Sequence, residues 1–264
     1  MSHASHDEPP KVDFGRTATD YARHRPGFPA QLFDEVRASG IGLAGQRVLD
    51  LGTGTGTLAR GFAERGCLAV GIDPSPAMLA EAATSAAEAG LTVRWVHARA
   101  EATGFSDGDF DVVCAGMCWH WFDRPRVAAE VTRLLRPGGA MVIAYFSYLA
   151  DPGTVGALTE ELVLRYHPSW SFAGEDGRHP QYVDDLVTAG LRHLRTFDVV
   201  IPMSFTHEAW RGRFRACNGV VMLPPEALAA FDADLARLLV ERFPEPIVSE
   251  HRLFGMIAEK PRTR

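Results

Sequence analysis

The sequence has few cysteines and no long apolar run. Its four cysteines are spread over 264 residues, and only Cys114 and Cys118 lie close together. A zinc site or a disulfide framework needs more cysteines at closer spacing. No window reaches the ~18 uninterrupted apolar residues of a membrane-spanning helix, and the opening MSHASHDEPP lacks the basic and apolar regions of a signal peptide. We therefore expect buried thiols, no bound metal, and a cytoplasmic protein that does not act at a membrane.

An excess of basic charge is also absent. The chain has 27 Lys plus Arg against 33 Asp plus Glu, which gives a formal net charge of -6. Such a balance does not favour attraction to a phosphate backbone, so we expect no nucleic-acid partner. Hydrophobic residues make up 46% of the chain, as in an ordinary globular domain. Nothing in the sequence indicates an oligomeric state.

Short apolar runs alternate with helical patterns between residues 47 and 148, which is typical of a parallel sheet with crossover helices. The predicted strands are RVLDL, LAVGID, TVRWVHA, FDVVCAG and AMVIAYF. The alternation breaks after Tyr148, and residues 149–192 form a predicted insertion with too few apolar residues for a core of its own. The sheet is expected to resume at LRTFDVVIPMSF and to finish at EHRLFGMIAEK, with two helices between them.

A glycine-rich turn follows the first predicted strand in RVLDLGTGTGTLA, residues 47–59. In a dinucleotide fingerprint the third glycine would stand at position 57, where this chain has Thr57; it stands instead at Gly56. Asp73 ends the second strand, where an acid accepts hydrogen bonds from ribose hydroxyls. No G-K-[ST] follows the glycines, so a phosphate-free nucleoside fits best. A turn that binds nothing, with Asp73 as a helix cap, is the structural alternative.

Five segments resemble class I S-adenosylmethionine-dependent methyltransferases in order and spacing. They are VLDLGTGTGTLA, GIDPSPAML, HARAEATGF, FDVVCAGMCWHWFD and LLRPGGAMVIA, and the resemblance covers about residues 40 to 150. DYARHRPGFP and HWFD look like the small-molecule branch that includes trans-aconitate methyltransferase-like proteins. The resemblance implies an α/β fold with a Rossmann-like, seven-stranded, mostly parallel sheet and flanking helices. It also implies an N-terminal lid at 1–40 and a methyltransferase domain at 41–264 with a cap inserted at about 149–192.

The resemblance implies S-adenosyl-L-methionine as the cofactor and a role for each matching residue. The loop from Asp50 to Gly56 would wrap the methionine portion, and Asp73 would hold the ribose. Tyr21 and Arg25 would fold over the carboxylate end. The full implied set is Tyr21, Arg25, Asp50, Gly52, Thr53, Gly54, Gly56, Asp73, Pro74 and Met78 near the adenine, Ala100 and Glu101 at its edge, and Gly116 and Met117 towards the substrate.

Candidate substrate residues follow the fourth and sixth strands. His120 has the side chain for a general base near neutral pH, with Trp119 and Trp121 as an apolar wall; a structural histidine within an aromatic core is the alternative. Arg211 and Arg215 are spaced i, i+4 on one helix face and could pair with a substrate carboxylate, although such a face is more often solvated.

These features predict a methyltransferase that acts on a small molecule, such as a carboxylic acid or a natural-product intermediate. A cap over the crevice favours a small acceptor. Two alternatives stay open: a nicotinamide-dependent oxidoreductase, and a protein that binds S-adenosylmethionine without catalysis.

Overall fold

A computed structural model describes residues 23–262 of the chain. Seven strands form one sheet in the order β3-β2-β1-β4-β5-β7-β6. Their bounds are β1 Arg47–Leu51, β2 Leu68–Asp73, β3 Arg94–His97, β4 Phe110–Gly116, β5 Leu135–Tyr148, β6 Arg192–Phe205 and β7 Ile247–Glu259. The first five strands pair in parallel, whereas β7 runs antiparallel to both β5 and β6. The predicted seven-stranded, mostly parallel sheet is confirmed.

Eight α-helices are described between residues 23 and 262. Their bounds are α1 Ala30–Ala38, α2 Thr57–Glu64, α3 Pro76–Glu88, α4 Arg124–Leu134, α5 Val155–Tyr166, α6 Tyr182–Thr188, α7 His207–Arg215 and α8 Pro225–Arg242. Several begin where the sequence supplies a cap: Ser75, Asp123, Thr154 and Thr206 each accept a backbone N–H of the first turn.

The core lies on both faces of the sheet because the strand side chains alternate. In β1, Val48 belongs to the cluster beneath α1 and α2, whereas Leu49 belongs to the cluster beneath α4 and α6. A third cluster joins α5, α7 and α8 through the rings of Trp170, Trp210 and Phe231. The segment expected as a cap, 149–192, therefore shares its apolar core with the two helices that follow β6.

The strand order reverses between β1 and β4: β2 and β3 extend the sheet on one side of β1, and β4 begins the extension on the other side. In open α/β sheets, ligands bind in the crevice at the carboxyl ends of the two strands that flank such a reversal. The glycine loop follows β1, and Gly116 ends β4. The fold thus brings the two predicted cofactor segments to one edge.

None of the helices described between residues 23 and 262 has the length and hydropathy that a bilayer crossing requires. The four cysteines are all buried free thiols, as predicted.

Candidate active site

The glycine loop adopts a backbone conformation that residues with a side chain rarely adopt. Gly52, Gly54 and Gly56 have φ angles of 58°, 54° and 79°, in the left-handed region that glycine visits without steric cost. A Cβ on Gly56 would lie 2.5 Å from the Trp95 ring. By contrast, a Cβ on Gly54 would meet no protein atom within 4 Å. The loop therefore packs against Trp95 at Gly56 and faces open space at Gly54.

Two buried carboxylates hold this loop. Thr53 Oγ1 donates to Asp50 Oδ2 at 2.5 Å, and the Ala59 N–H donates to the same oxygen at 3.3 Å. The Gly54 N–H donates to Asp73 Oδ2 at 2.9 Å, and the Ser75 N–H donates to Asp73 Oδ1 at 2.8 Å. Asp50 thus braces the loop from the strand side, and Asp73 braces it from the neighbouring strand.

Burial raises the pKa of Asp50 to about 7 and also raises the pKa of Asp73, because desolvation disfavours a charged carboxylate. Asp50 is 1% exposed, and its described partners are all groups of the protein. Asp73 lies nearer the sheet edge, and each of its oxygens keeps a further lone pair for a ligand. Of the two acids, Asp73 has the geometry to hold ribose hydroxyls.

A cleft opens in front of the glycine loop and contains about 500 Å³ of space outside the protein atoms, part of it open to solvent. The lining residues are Arg25, Pro26, Phe28, Gly52, Thr53, Gly54, Thr55, Thr57, Gly116, Met117, Phe146 and Arg213. Six predicted cofactor residues, from Arg25 to Met117, therefore meet in one place.

The segment before α1 covers the loop. Phe28 reaches the sheet so closely that a Cβ on Gly116 would lie 2.7 Å from its ring. Arg25 lines the same cleft, which agrees with its predicted place near the carboxylate end of the cofactor. Tyr21 lies outside the described residues. The lid expected at 1–40 stays a prediction, of which the described part begins at residue 23.

The residues predicted around the adenine follow β2 and β3, at the same edge of the sheet but outside the lining of the cleft. Pro74 O is 3.0 Å from His97 Nε2, and Met78 is buried in the first turn of α3. Ala100 is buried, and Glu101 Oε1 accepts the Asp123 N–H at 3.3 Å. Their role at the adenine stays a prediction.

Met117 lies at the end of β4 with a φ of 58°, the one positive φ among the described non-glycine residues. Its sulfur lies 3.0 Å from the Phe146 backbone nitrogen, which donates to it. A strained backbone at a residue that lines a cleft is typical of functional positions. Gly116 and Met117 therefore lie where the sequence places the path to the substrate.

The two tryptophans of the WHWFD segment differ in burial. Trp119 is fully buried, and its Nε1 donates to Asp185 Oδ2 at 2.9 Å. The predicted substrate wall at Trp119 is therefore corrected, because this ring belongs to the core beneath α6. Trp121 is partly exposed, and its ring centroid lies 4.5 Å from that of His120.

His120 follows Met117 by three residues and interacts electrostatically with Arg25, which lines the cleft. Its Nδ1 is 2.9 Å from the Tyr145 hydroxyl. Burial, with smaller effects of His179 and Arg25, lowers the pKa of His120 to about 4. The imidazole is therefore neutral near pH 7, which is the form a general base requires.

The structure does not bring Arg211 and Arg215 to the cleft. Both pair with Asp232 of α8, and both also pair with Glu208. Arg213 lies between them in sequence, is buried, and lines the cleft. The predicted substrate residues Arg211 and Arg215 therefore lie on the outer face of α7, whereas Arg213 lies on the face towards the cleft.

Arg213, Phe146 and Phe28 line the cleft but were not predicted from the sequence, and Tyr145, the buried partner of His120, was not predicted either. A signal for Arg213 was present, because it follows Trp210 by three residues and directly precedes Phe214, the two apolar residues that bury α7. Phe146 and Tyr145 lie in an apolar strand whose pattern does not distinguish a core position from a cleft position.

The cleft fits S-adenosylmethionine by its chemistry. This ligand needs an acceptor for the ribose, a cation for the carboxylate and apolar walls, and it needs no phosphate site. Arg25 and Phe28 line the cleft and would provide the cation and an apolar wall. Asp73, which accepts the Gly54 N–H of the loop, would provide the ribose acceptor, and the open space in front of Gly54 would give the ligand room. In the part of the chain from residue 23 to 262, no group of three or more His, Cys, Asp or Glu could hold a metal ion.

Several known proteins similar to this chain are methyltransferases. Residues 48–139 match the model of a methyltransferase domain. An uncharacterised methyltransferase of Mycobacterium tuberculosis is 36% identical over 134 residues, which is 51% of this chain and 52% of that protein. The chain thus spans about half the length of the curated relatives it matches.

Two solved structures extend the similarity to the rest of the fold. A structure assigned as a type II methyltransferase from Anaeromyxobacter dehalogenans superposes with a TM-score of 0.64 at 23% identity, covering 90% of this chain and 99% of that one. A phosphoethanolamine N-methyltransferase of Haemonchus contortus, in complex with S-adenosylhomocysteine, gives a TM-score of 0.56 at 19% identity and covers 95% of this chain and 60% of that one. At these identities the superpositions show the fold alone.

The glycine loop, the acid after β2 and the strand order all lie within or beside the segment 48–139 that matches the methyltransferase domain model.

Proposed function

We propose that this protein is an S-adenosylmethionine-dependent methyltransferase acting on a small molecule that carries an anionic group, with carboxylic acids as the first candidates. One observation carries the proposal: Arg213 of α7 and the glycine loop line the same cleft. A buried arginine is charged at all physiological pH values and suits a planar carboxylate. A carboxylic acid acceptor also agrees with the resemblance to the trans-aconitate methyltransferase-like branch.

The enclosure of the cleft supports a small acceptor. Arg25 and Phe28 approach from the segment before α1, and Arg213 approaches from α7, so protein covers the loop from two sides. A polymer would need an open groove, and a nucleic acid would need basic surface, whereas the net charge is -6. We accordingly propose a small-molecule partner and no nucleic acid.

When bound, S-adenosylmethionine supplies a methyl group on a positively charged sulfur, which a nucleophile takes by direct displacement. The chain's own residues then have to bind and orient. Arg25 would bind the carboxylate end and Asp73 the ribose, while Arg213 would fix the anionic group of the acceptor. Phe146 and Met117, between these groups, would exclude water and align the two reactants.

The nicotinamide alternative is disfavoured by the same loop. Its third glycine stands at Gly56, and the chain has Thr57 where the dinucleotide fingerprint needs glycine. Mass analysis of ligand that copurifies with the protein distinguishes the two, because a nicotinamide in the cleft would refute the proposal.

The cofactor site is tested with a matched pair of glycines. Gly54 and Gly90 both have positive φ angles, and a Cβ on either would meet no protein atom within 4 Å. Gly54→Leu and Gly90→Leu should therefore cost similar stability, but only the first fills the cleft. Calorimetry with S-adenosylhomocysteine should show at least ~30-fold weaker binding for Gly54→Leu, as expected for about 2 kcal/mol of overpacking. Equal affinities for the two variants would contradict the site.

The acceptor site is tested with neighbouring arginines. Arg213→Met should lower kcat/KM for an anionic acceptor by ~10- to 100-fold, the effect of losing one charge-assisted contact. Arg211→Met, on the outer face, should leave it unchanged, and Arg213→Lys should retain part of it. The acceptor is sought among carboxylic acids by product mass. If S-adenosylhomocysteine binds but no acid is methylated, the non-catalytic alternative gains support.

A further inference from the structure

A chain of polar groups runs through the aromatic core beside the cleft. The Tyr145 hydroxyl lies 2.9 Å from His120 Nδ1 and 3.4 Å from the His120 backbone nitrogen. Tyr145 is buried, and its ring centroid lies 4.0 Å from that of His179. The ring centroid of Tyr182 on α6 lies 5.9 Å from that of Tyr145. Tyr145 therefore connects His120 to a rigid part of the fold.

The Tyr145 hydroxyl faces two nitrogens of His120. A tyrosine hydroxyl has one proton to donate and two lone pairs to accept with. One lone pair accepts the His120 backbone N–H at 3.4 Å, and the second is within reach of an Nδ1–H at 2.9 Å. When this second lone pair accepts the Nδ1–H, Nε2 carries the free lone pair.

The surroundings keep His120 neutral. The groups that face it are Arg25 from the segment before α1, Tyr145 on β5 and His179 in the cap, with Tyr182 behind Tyr145. Burial and the two basic neighbours lower the pKa of His120 to about 4. The rings of Trp121 and Phe172 flank the imidazole at centroid distances of 4.5 Å and 5.5 Å. Among the described residues, no hydrogen-bond partner is assigned to Nε2.

We propose that Tyr145 is a positioning residue that holds His120 in the tautomer with a free Nε2, so that His120 takes a proton from an amine or hydroxyl nucleophile of the acceptor. This inference rests on the proposed methyl transfer. The nucleophile forms a bond to the methyl carbon, the carbon–sulfur bond breaks with its electron pair staying on sulfur, and the nucleophile's proton passes to Nε2. A carboxylate nucleophile has no proton to lose.

The inference narrows the substrate class. Arg213 fixes an anionic group, and His120 serves a separate protic nucleophile, so the expected acceptor carries both. Amino acids and hydroxy acids satisfy this requirement, whereas a simple carboxylic acid satisfies only the first half.

The tautomer can be observed without turnover. Heteronuclear NMR of protein carrying isotope-labelled histidine should show the His120 proton on Nδ1, with the signal identified by its loss in His120→Gln. Tyr145→Phe should shift the proton towards Nε2, whereas Tyr148→Phe, whose hydroxyl donates to Glu160 instead, should leave the His120 signal unchanged. A proton on Nε2 in the unaltered protein would overturn the inference, and that measurement needs no variant to fold.

Kinetics provide the second readout. With an amino or hydroxy acid that is methylated, Tyr145→Phe should lower kcat by ~10-fold, a fraction of the ~100-fold or more that a general base supplies, and should leave S-adenosylhomocysteine affinity unchanged. Tyr166→Phe, which removes a hydroxyl bonded to Asp234 at 2.7 Å, is the matched control. An unchanged kcat in Tyr145→Phe would refute the positioning role. Absence of S-adenosylhomocysteine binding would refute the proposed function and leave the tautomer result standing.

Discussion

Asp50 shows how a single buried side chain can couple the cofactor loop to pH. It is fully enclosed beneath the loop, where the Thr53 hydroxyl and the Ala59 N–H donate to it, and the Cys114 thiol lies at 3.6 Å. These donors do not offset the loss of water, so burial raises its pKa to about 7. The folded chain therefore keeps a proton that the unfolded chain releases near pH 4.

Asp50→Asn should change the pH dependence of stability. Because the pKa of Asp50 is raised in the folded state, its stabilising contribution is complete below about pH 4 and is lost as the pH rises through about 7. Asparagine keeps an oxygen for the same donors and has no proton to lose. Chemical denaturation should therefore show the variant gaining stability over the original between about pH 5 and about pH 8, by a few kcal/mol at about 1.4 kcal/mol per pKa unit. An equal difference at both pH values would mean that Asp50 titrates normally.

At the scale of residues, the sequence indicates which side chains share a helix face. It does not indicate whether that face points towards the cleft or away from it. The i, i+4 spacing of Arg211 and Arg215 correctly places them on one face, but that face meets α8, not the cleft. Which face of a helix turns inward is decided by its largest apolar residues, here Trp210 and Phe214. The same holds for Trp119, whose burial depends on α6, a helix that the sequence did not predict.

At the scale of elements, a contact between α1 and α2 positions the segment that covers the cofactor loop. Gly61 lies inside α2, where glycine costs about 1 kcal/mol relative to alanine. The Phe33 ring of α1 occupies the space of its missing side chain, since a Cβ there would lie 2.1 Å from that ring. Phe33 and Phe62 then pack edge to face at 5.2 Å. This contact anchors α1, and α1 begins two residues after Phe28.

Gly61→Ala should therefore destabilise the protein despite the better helix propensity of alanine. We expect a loss of about 2 kcal/mol in the free energy of unfolding, from overpacking against Phe33, together with weaker S-adenosylhomocysteine binding. The double variant Gly61→Ala, Phe33→Leu should lose less than the sum of the two single variants, with a coupling of about 1 kcal/mol or more in denaturant titrations. Additive losses would show that α1 does not dock through this contact.

Elements were predictable where local patterns are strong. The five strands of the alternating region and the last two strands are confirmed, because apolar runs between glycines and prolines specify buried strands with little help from context. The predicted fifth strand begins only at Ala140, whereas β5 begins at Leu135 and includes Pro137, Gly138 and Gly139, residue types that are typical of turns. Pairing of Phe110 with Leu135, followed by a register shift, extends the strand through this segment, a tertiary effect that local sequence does not encode.

At the scale of the whole molecule, the cleft is assembled from parts that lie far apart in sequence. Arg25 comes from the segment before α1, the loop from the turn after β1, Phe146 from β5 and Arg213 from α7. The sequence predicted the sheet that carries them, and the resemblance indicated the loop. It did not predict that α7 would lie over the loop, because that position depends on the antiparallel pairing of β6 with β7 and on the shared core of α5, α7 and α8.

This assembly predicts a distinctive response to ligand. A ligand held at one concentration ~100-fold above its Kd adds about 2.7 kcal/mol to the stability of the folded state. If the cleft is one site, S-adenosylhomocysteine should slow hydrogen exchange at residues 23–28 and 52–57, which lie on both sides of the ligand, and should leave α4, on the far side of the sheet from the loop's covering segment, unchanged. Adding a methylated acceptor should then slow exchange in α7 as well, since Arg213 would contact that molecule. Protection confined to residues 52–57 under both conditions would mean that only the glycine loop contacts the ligands. Neither the segment before α1 nor α7 would then take part in binding.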